Sequence, residues 1–296
     1  MALSLAQARL YTTDTLQSGV IETIARESAV MERLPFMEVS GNSYQYNLET
    51  ALPTVAFRNV NQGYDANEGE IEQRTEALVI LGGDVDVDRF VVQTKGDINN
   101  IRAIQTEMKA KAVANTYTKG FFKGDATKDA KSFDGLDVRI AGTEQEVVMS
   151  KGDKLIDKLH ELLDTVEGDA DVLYMSKKVR RELQKALEGQ THYIQVGRDE
   201  FGRTIELFGD VEIRTVSDLI LGTGDIYAVK FGAMSHVAGL TNGGVNVRDL
   251  GELDTLPVFR TRIEFYCGLA MFHPKSVARL FDVLNPADAT EGGSDE

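Results

Sequence analysis

The chain has 296 residues, 42% of them hydrophobic, enough to bury one large core or two ordinary ones. Its 32 Lys and Arg stand against 47 Asp and Glu, and the resulting charge of −15 excludes a protein that grips nucleic acid over its whole surface. Cys267 is the single cysteine, which excludes an internal disulfide framework, and neither a basic-then-apolar leader in residues 1–11 nor a membrane-length apolar run is present. The sequence therefore reads as an acidic, soluble protein made inside the cell.

Asp14 with Gln17 forms a loose capping box for a helix that should bury Leu16, Val20, Ile21 and Ile24. Pro35 stops it, residues 36–39 read as a short strand, Gly41-Asn42 as a turn, and Tyr44 and Tyr46 alternate as in a half-exposed strand. Residues 48–83 are mostly polar, punctuated by Pro53, Gly63 and Gly69, with short apolar bursts. That stretch is too long for a connection and is expected to form an extended hairpin. In Asp84-Val85-Asp86-Val87-Asp88 the alternation puts three aspartates on one strand face and two valines on the other. Asp97 should cap a second helix whose stripe is Ile98, Ile101, Ile104, Met108 and Ala112, running to residues 117–120, about 30 Å long.

A separate α/β unit is expected after Ser150. Ser150 and Asp153 open a helix carrying Leu155, Ile156, Leu159, Leu162, Leu163 and Val166, closed by Gly168. Residues 172–175 form a strand, and Ser176 caps a helix bearing Val179, Leu183 and Leu187 that stops at Gly189. Short strands follow at 193–196, 204–207, 211–215 and 226–230. Residues 258–272 make the longest strand candidate, with Arg260, Arg262 and Glu264 on one face and Thr261, Ile263, Phe265 and Cys267 on the other. Pro274 should begin a last helix with Val277, Leu280 and Phe281, and the acidic tail from Asn285 reads as mobile.

The search for chemistry yields no catalytic, cofactor-binding or metal residue. Asp84-x-Asp86-x-Asp88 opens like a calcium loop, but Arg89 replaces the turn glycine and Lys95 the bidentate glutamate. A metal-dependent hydrolase using these three aspartates is kept as a remote alternative to a solvated acidic face. His160-Glu161-Leu162-Leu163-Asp164 lacks the second histidine of a zinc helix. Gly222-Thr223-Gly224 has Tyr227 where a dinucleotide loop needs its third glycine, and Ser235-His236 has no nucleophile elbow. Cys267 alternates with Ile263 and Phe265 and is expected to be buried and inert. Charge is more informative. Residues 62–90 hold eight carboxylates against two arginines, whereas residues 95–131 hold eight cations against four carboxylates. Such opposite strips suit electrostatic register between subunits, or one surface meeting an anion.

The order of these parts resembles the Hong Kong 97 capsid fold of tailed-bacteriophage major capsid proteins. The resemblance covers nearly the whole chain. It is carried by residues 41–47 leading into the excursion, Phe57-Arg58, the Gly82-Gly83-Asp84 to Phe90 strand, Phe133-Asp134-Gly135-Leu136, and the strand from Arg260 to Pro274. It implies an α+β fold divided into an N-terminal arm (1–38), peripheral-domain strands with an extended loop (39–95, the loop at 48–83), and a peripheral domain with a spine helix (96–149). An axial domain (150–257), a returning strand and helix (258–285) and a mobile acidic tail (286–296) complete it. It also implies a non-enzymatic structural role without cofactors: self-assembly as hexamers and pentamers into an icosahedral head around double-stranded DNA. The extended loop would contact a neighbouring subunit, with Arg58, Glu68, Glu70, Glu72 and Arg74 as inter-subunit candidates. The spine helix would face inward, making Lys109, Lys111, Lys119 and Lys123 candidates for weak, non-specific contact with packaged DNA. A portal is expected as partner, with separate scaffolding and decoration proteins also possible, and no membrane; the place is the virion, after synthesis in the host cytoplasm. No lysine precedes Lys95, so welding through an extended-loop lysine is not available. An encapsulin-like compartment shell is the alternative within the same fold.

Overall fold

Ser28 divides the first helical segment. Its hydroxyl accepts the Met31 N–H at 3.1 Å, ending α1 (Thr15–Glu27) and starting α2 (Ala29–Arg33). The same hydroxyl lies 2.7 Å from that of Thr118, tying the arm to the long helix. The computed structural model describes residues 15–51, 53–94, 98–187, 194–198, 204–222 and 224–286. The capping roles of Asp14 and Asp97, the stop at Gly189, the strand start at Tyr193 and the tail from 287 fall outside those residues. Val20, Ile21 and Ile24 are buried on α1 as expected, but Leu16 is 39% exposed, one turn beyond the packed stripe.

The chain continues through β1 (Phe36–Glu38), β2 (Ser43–Ala51), β3 (Glu70–Ala77), β4 (Val79–Asp88), α3 (Arg89–Thr94) and the 26-residue α4 (Ile98–Lys123). Next come α5 (Leu136–Ile140), β5 (Glu146–Val148), α6 (Leu155–Thr165), β6 (Val172–Ser176), α7 (Lys177–Ala186), β7 (Ile194–Arg198) and β8 (Thr204–Phe208). The rest is β9 (Val211–Val216), α8 (Asp218–Leu221), β10 (Ile226–Val229), β11 (Val237–Glu252), β12 (Val258–Met271), a 3-10 turn (Pro274–Ser276) and β13 (Val277–Phe281). Two sheets organise these parts: a four-stranded one in the order β1-β11-β12-β4, and a seven-stranded one in the order β5-β13-β10-β6-β9-β8-β7. β2 and β3 form a sheet of their own.

The helix expected after Pro274 is a strand. Val277, Ala278 and Leu280 are all buried because β13 lies inside the seven-stranded sheet, between β5 and β10. Apolar spacings of one and three residues fit either structure; only the two waiting neighbours decide. The sheets also do not divide at residues 150 and 257, since the seven-stranded one takes in β5 and β13 while the four-stranded one takes in β11. β11, for which the sequence pattern predicts nothing, is the longest strand among the described residues. Its pairing with β12 shifts between Thr241 and Val245, where Gly243 and Gly244 both take positive φ, 75° and 66°.

The largest correction concerns α4. Its buried side is Thr106, Ala110, Val113, Ala114, Tyr117, Thr118, Phe121 and Phe122, packed on α1 and the four-stranded sheet. The stripe read from sequence points elsewhere: Ile104 is 47% exposed, Met108 58%, Ala112 is exposed and Ile101 only partly buried. Small residues let the helix approach its neighbours closely, and they carry little hydropathy signal. At its end, Gly120, Gly124 and Gly135 let two backbones touch. A Cβ at Gly135 would stand 2.5 Å from the Gly120 carbonyl oxygen, which gives Phe133-Asp134-Gly135-Leu136 a packing role. α6 and α7 cover the seven-stranded sheet as a second core around Leu159, Leu162, Leu173 and Leu183.

Candidate assembly surface

β2 and β3 run antiparallel from Ser43↔Ala77 to Ala51↔Glu70 and, among the described residues, pair with no other strand. The paired part thus begins before residue 48 and ends at Ala77, after which β4 enters the four-stranded sheet. Between the strands, Val55, Phe57 and Val60 expose nearly their whole side chains and Tyr64 most of its own. A two-stranded ribbon is marginal in water by itself, so its root must hold it. Here that root is built. Arg139 of α5, almost wholly buried, donates from Nη1 to Glu76 Oε1 at 2.5 Å and from Nη2 to Glu76 Oε2 at 2.8 Å. It also donates to the carbonyls of Asp134 (2.9 Å) and Leu269 (3.0 Å), while the Tyr46 hydroxyl donates to Glu76 at 3.3 Å. Burial works against the guanidinium charge, and the Glu76 bonds more than restore it, so the Arg139 pKa is raised. Phe272 closes the root, 4.8 Å from the Tyr46 ring and 6.1 Å from that of Tyr44.

The five arm residues singled out from sequence all lie on this ribbon. Arg58 folds back at the tip, donating to the Gln62 carbonyl at 3.1 Å, with its guanidinium 5.1 Å from the Tyr64 ring centre. Arg74 Nε donates to Glu72 at 3.3 Å, and Glu68 and Glu70 are exposed. The geometry brings Glu72 and Arg74 together and leaves the other three apart.

The acidic strand is neither a metal site nor a bare solvated face. β4 pairs with β12, placing Asp84 opposite Arg262 and Asp86 opposite Arg260. Arg262 donates to Asp84 at 2.7 and 2.9 Å, and Arg260 to Asp86 at 2.7 and 2.6 Å, both bidentate. The Arg262 hydrogen bonds hold Asp84 below the usual carboxylate range, and those of Arg260 do the same for Asp86. Asp88 accepts the Phe90 N–H at 2.7 Å at the entry to α3. Each carboxylate has a donor already, and among the described residues no three His, Cys, Asp or Glu side chains converge on a metal position. The hydrolase alternative ends there. Cross-strand partners were beyond the sequence reading, although the Arg-x-Arg of β12 carries the same period of two as Asp-x-Asp.

The four lysines of α4 have different surroundings. Lys109 lies across β4 at Gly83, where a Cβ would stand 2.4 Å from its Cε, so glycine makes room for its stem. Lys111 pairs with Glu107 one turn away at 2.9 Å, and Lys119 is exposed. Lys123 reaches Asp137 and Asp225, each at 2.7 Å, in a knot with Arg279 and Tyr227 that joins α4 to the seven-stranded sheet. A second knot ties the arm to that sheet: Arg214 binds Glu32 at 3.0 Å and also Glu212, which Arg33 bonds in turn. A cleft of about 800 Å³ between α1, α4 and α8 is lined by Ser28, Asn115, Thr118 and Lys177 among others, without histidine or cysteine. Cys267 is buried, and burial pushes its thiol up to about 12. The ribbon buries Tyr46 and Leu48 near its root, while the apolar side chains of its tip are exposed.

The sequence model of the family described as Major capsid protein GP7 matches residues 12–158. The chain has the Hong Kong 97-like fold. Solved structures share that fold across the chain. The SrpI encapsulin of Synechococcus elongatus PCC 7942 is 18% identical with a TM-score of 0.67 over all of both chains. A structure from Microbacterium phage Oxtober96 is 15% identical with a TM-score of 0.62, covering 86% of this chain and 90% of that one. A virus-like particle from Pyrococcus furiosus gives 12% and 0.55, covering 90% and 97%. No curated protein matches by sequence.

Proposed function

We propose that this chain is a capsid-shell protein and forms the head of a tailed double-stranded-DNA phage, assembling in the host cytoplasm as hexamers and pentamers that close into an icosahedral shell. The observation that carries the reading is the hairpin: a rooted ribbon whose tip exposes Val55, Phe57, Val60 and Tyr64 has its apolar surface free for a second copy. In this reading the ribbon and tip, with Arg58, Glu68, Glu70, Glu72 and Arg74, reach over the neighbouring subunit. α4 lines the shell interior, and Lys111 and Lys119 are better placed than Lys123 to meet packaged DNA, because two aspartates already hold Lys123. The four-stranded sheet with α4 is the peripheral domain and the seven-stranded sheet with α6 and α7 the axial one. Portal, scaffolding and decoration proteins are separate partners.

Electron microscopy of the purified chain tests this. Closed shells or capsomer rings are expected, and Phe57→Asp should leave subunits that do not assemble. A clean monomer at high concentration overturns the reading. The full-length likeness to the SrpI encapsulin favours a second reading, a compartment shell around protein cargo. Particles isolated from the native source decide between them by their content, nuclease-protected DNA or protein.

A further inference from the structure

The chain crosses twice between its two sheets at one place: at Lys230–His236, from β10 to β11, and at Phe272–Ser276, from β12 to β13. A histidine stands on each crossing. His236 and His273 have ring centres 6.0 Å apart, and the crossings are sewn together by Phe272 N–H to His236 C=O (3.0 Å) and Lys230 N–H to Ser276 C=O (2.9 Å). His273 caps the 3-10 turn: its Nδ1 accepts the Lys275 N–H at 3.2 Å, which assigns its proton to Nε2, 3.4 Å from Glu167. His236 Nδ1 lies 3.1 Å from the Ser276 hydroxyl.

We propose that His236 and His273 form an acid-sensitive joint between the two sheets, closed when both imidazoles are neutral and loosened when both are protonated. A protonated His273 has no lone pair for the Lys275 N–H, so the cap is lost whatever the surrounding charge. Protonating both rings also sets two positive charges side by side next to Lys230, whose ammonium is bonded to the Gly168 and Glu167 carbonyls. The facing carboxylates oppose this without cancelling it: Asp171, which accepts the Phe231 N–H at 2.7 Å, and Glu167, mostly exposed on a surface shared with Glu144, Asp164 and Lys275, pull the His236 pKa up by less than the other groups push it down. Burial, then Lys230 and His273, already lower the His236 pKa, so the folded state resists its charge. A depressed histidine contributes stability that is present above its unfolded pKa and lost as pH falls towards the folded value. On the shell reading, a looser joint changes the angle between the two sheets and with it the curvature a subunit can adopt.

Hydrogen exchange of the full chain at pH 7.5 and 5.0, corrected for intrinsic rates, is the test. Amides of 230–237 and 272–276 should exchange about tenfold more at pH 5.0, and the double variant His236→Asn with His273→Asn should show no such rise; asparagine keeps a good cap at 273. An equal rise in the variant, or none in the wild type, overturns the joint. Should the double variant not fold, the single variant His273→Asn decides by NMR: His236 must titrate at higher pH than in the wild type, and an unchanged titration overturns it equally. Neither readout requires assembly, so failure of the shell reading leaves the joint standing and the reverse also holds.

Discussion

The ribbon of β2 and β3 and the β7–β8 margin of the seven-stranded sheet are both antiparallel, yet ribbon and sheet hold themselves in opposite ways. The sheet carries its own core, with Leu159, Leu162, Leu173 and Leu183 fully buried beneath α6 and α7. Among the described residues the ribbon buries only Tyr46 and Leu48, and it depends on the Arg139–Glu76 pair and three aromatic rings. Surface spent on stability cannot also be offered to a neighbour; the ribbon leaves the apolar side chains of its tip exposed and is stabilised at its root.

Substitutions can break this contrast, and the largest effect is expected at the root. Arg139→Met strands Glu76 in a half-dry site and should cost about 3–5 kcal/mol in urea melts, partly recovered by adding Glu76→Gln. Recovery failing in the double variant would show that Arg139 holds the ribbon through its carbonyl bonds instead. Leu162→Ala, in the sheet's core, should cost about 2–5 kcal/mol and leave assembly of the folded fraction intact. Arg262→Ala on the partly exposed ladder should cost less than either at neutral pH, because solvent screens the pair. Asp84 has a lowered pKa, so its share of stability is complete above the unfolded carboxylate range, about pH 4, and is lost as pH falls through the lower folded value. Melts between pH 6 and pH 3 should therefore be steeper for the wild type than for Arg262→Ala. Phe57→Asp should be the smallest for the monomer, within about 0.5 kcal/mol, while removing assembly by light scattering. A large loss of monomer stability there would mean that the tip packs on its own chain.

The alternation of β12 and of Asp84-Val85-Asp86-Val87-Asp88, and the Ser176 cap of α7, were legible because strand period and capping chemistry are local. So was the hairpin, since a long polar stretch of strand-like residues has few other uses. The order of these parts was enough to suggest the shell fold. Non-local questions were not legible. Which side of α4 is buried depends on the neighbours that Ala110, Ala114 and Thr118 admit, and Ile104 and Met108 misled because hydropathy measures a side chain without its surroundings. Val277–Phe281 became a strand because β5 and β10 leave a place between them. The eight carboxylates of 62–90 were countable in the sequence; that Arg260 and Arg262 neutralise two of them, and Arg139 a third, was decided where the chain returns from more than 60 residues away. Sequence by itself determined periods, caps and charge, whereas the tertiary structure decided partners, because partners are chosen by packing between segments and not within them.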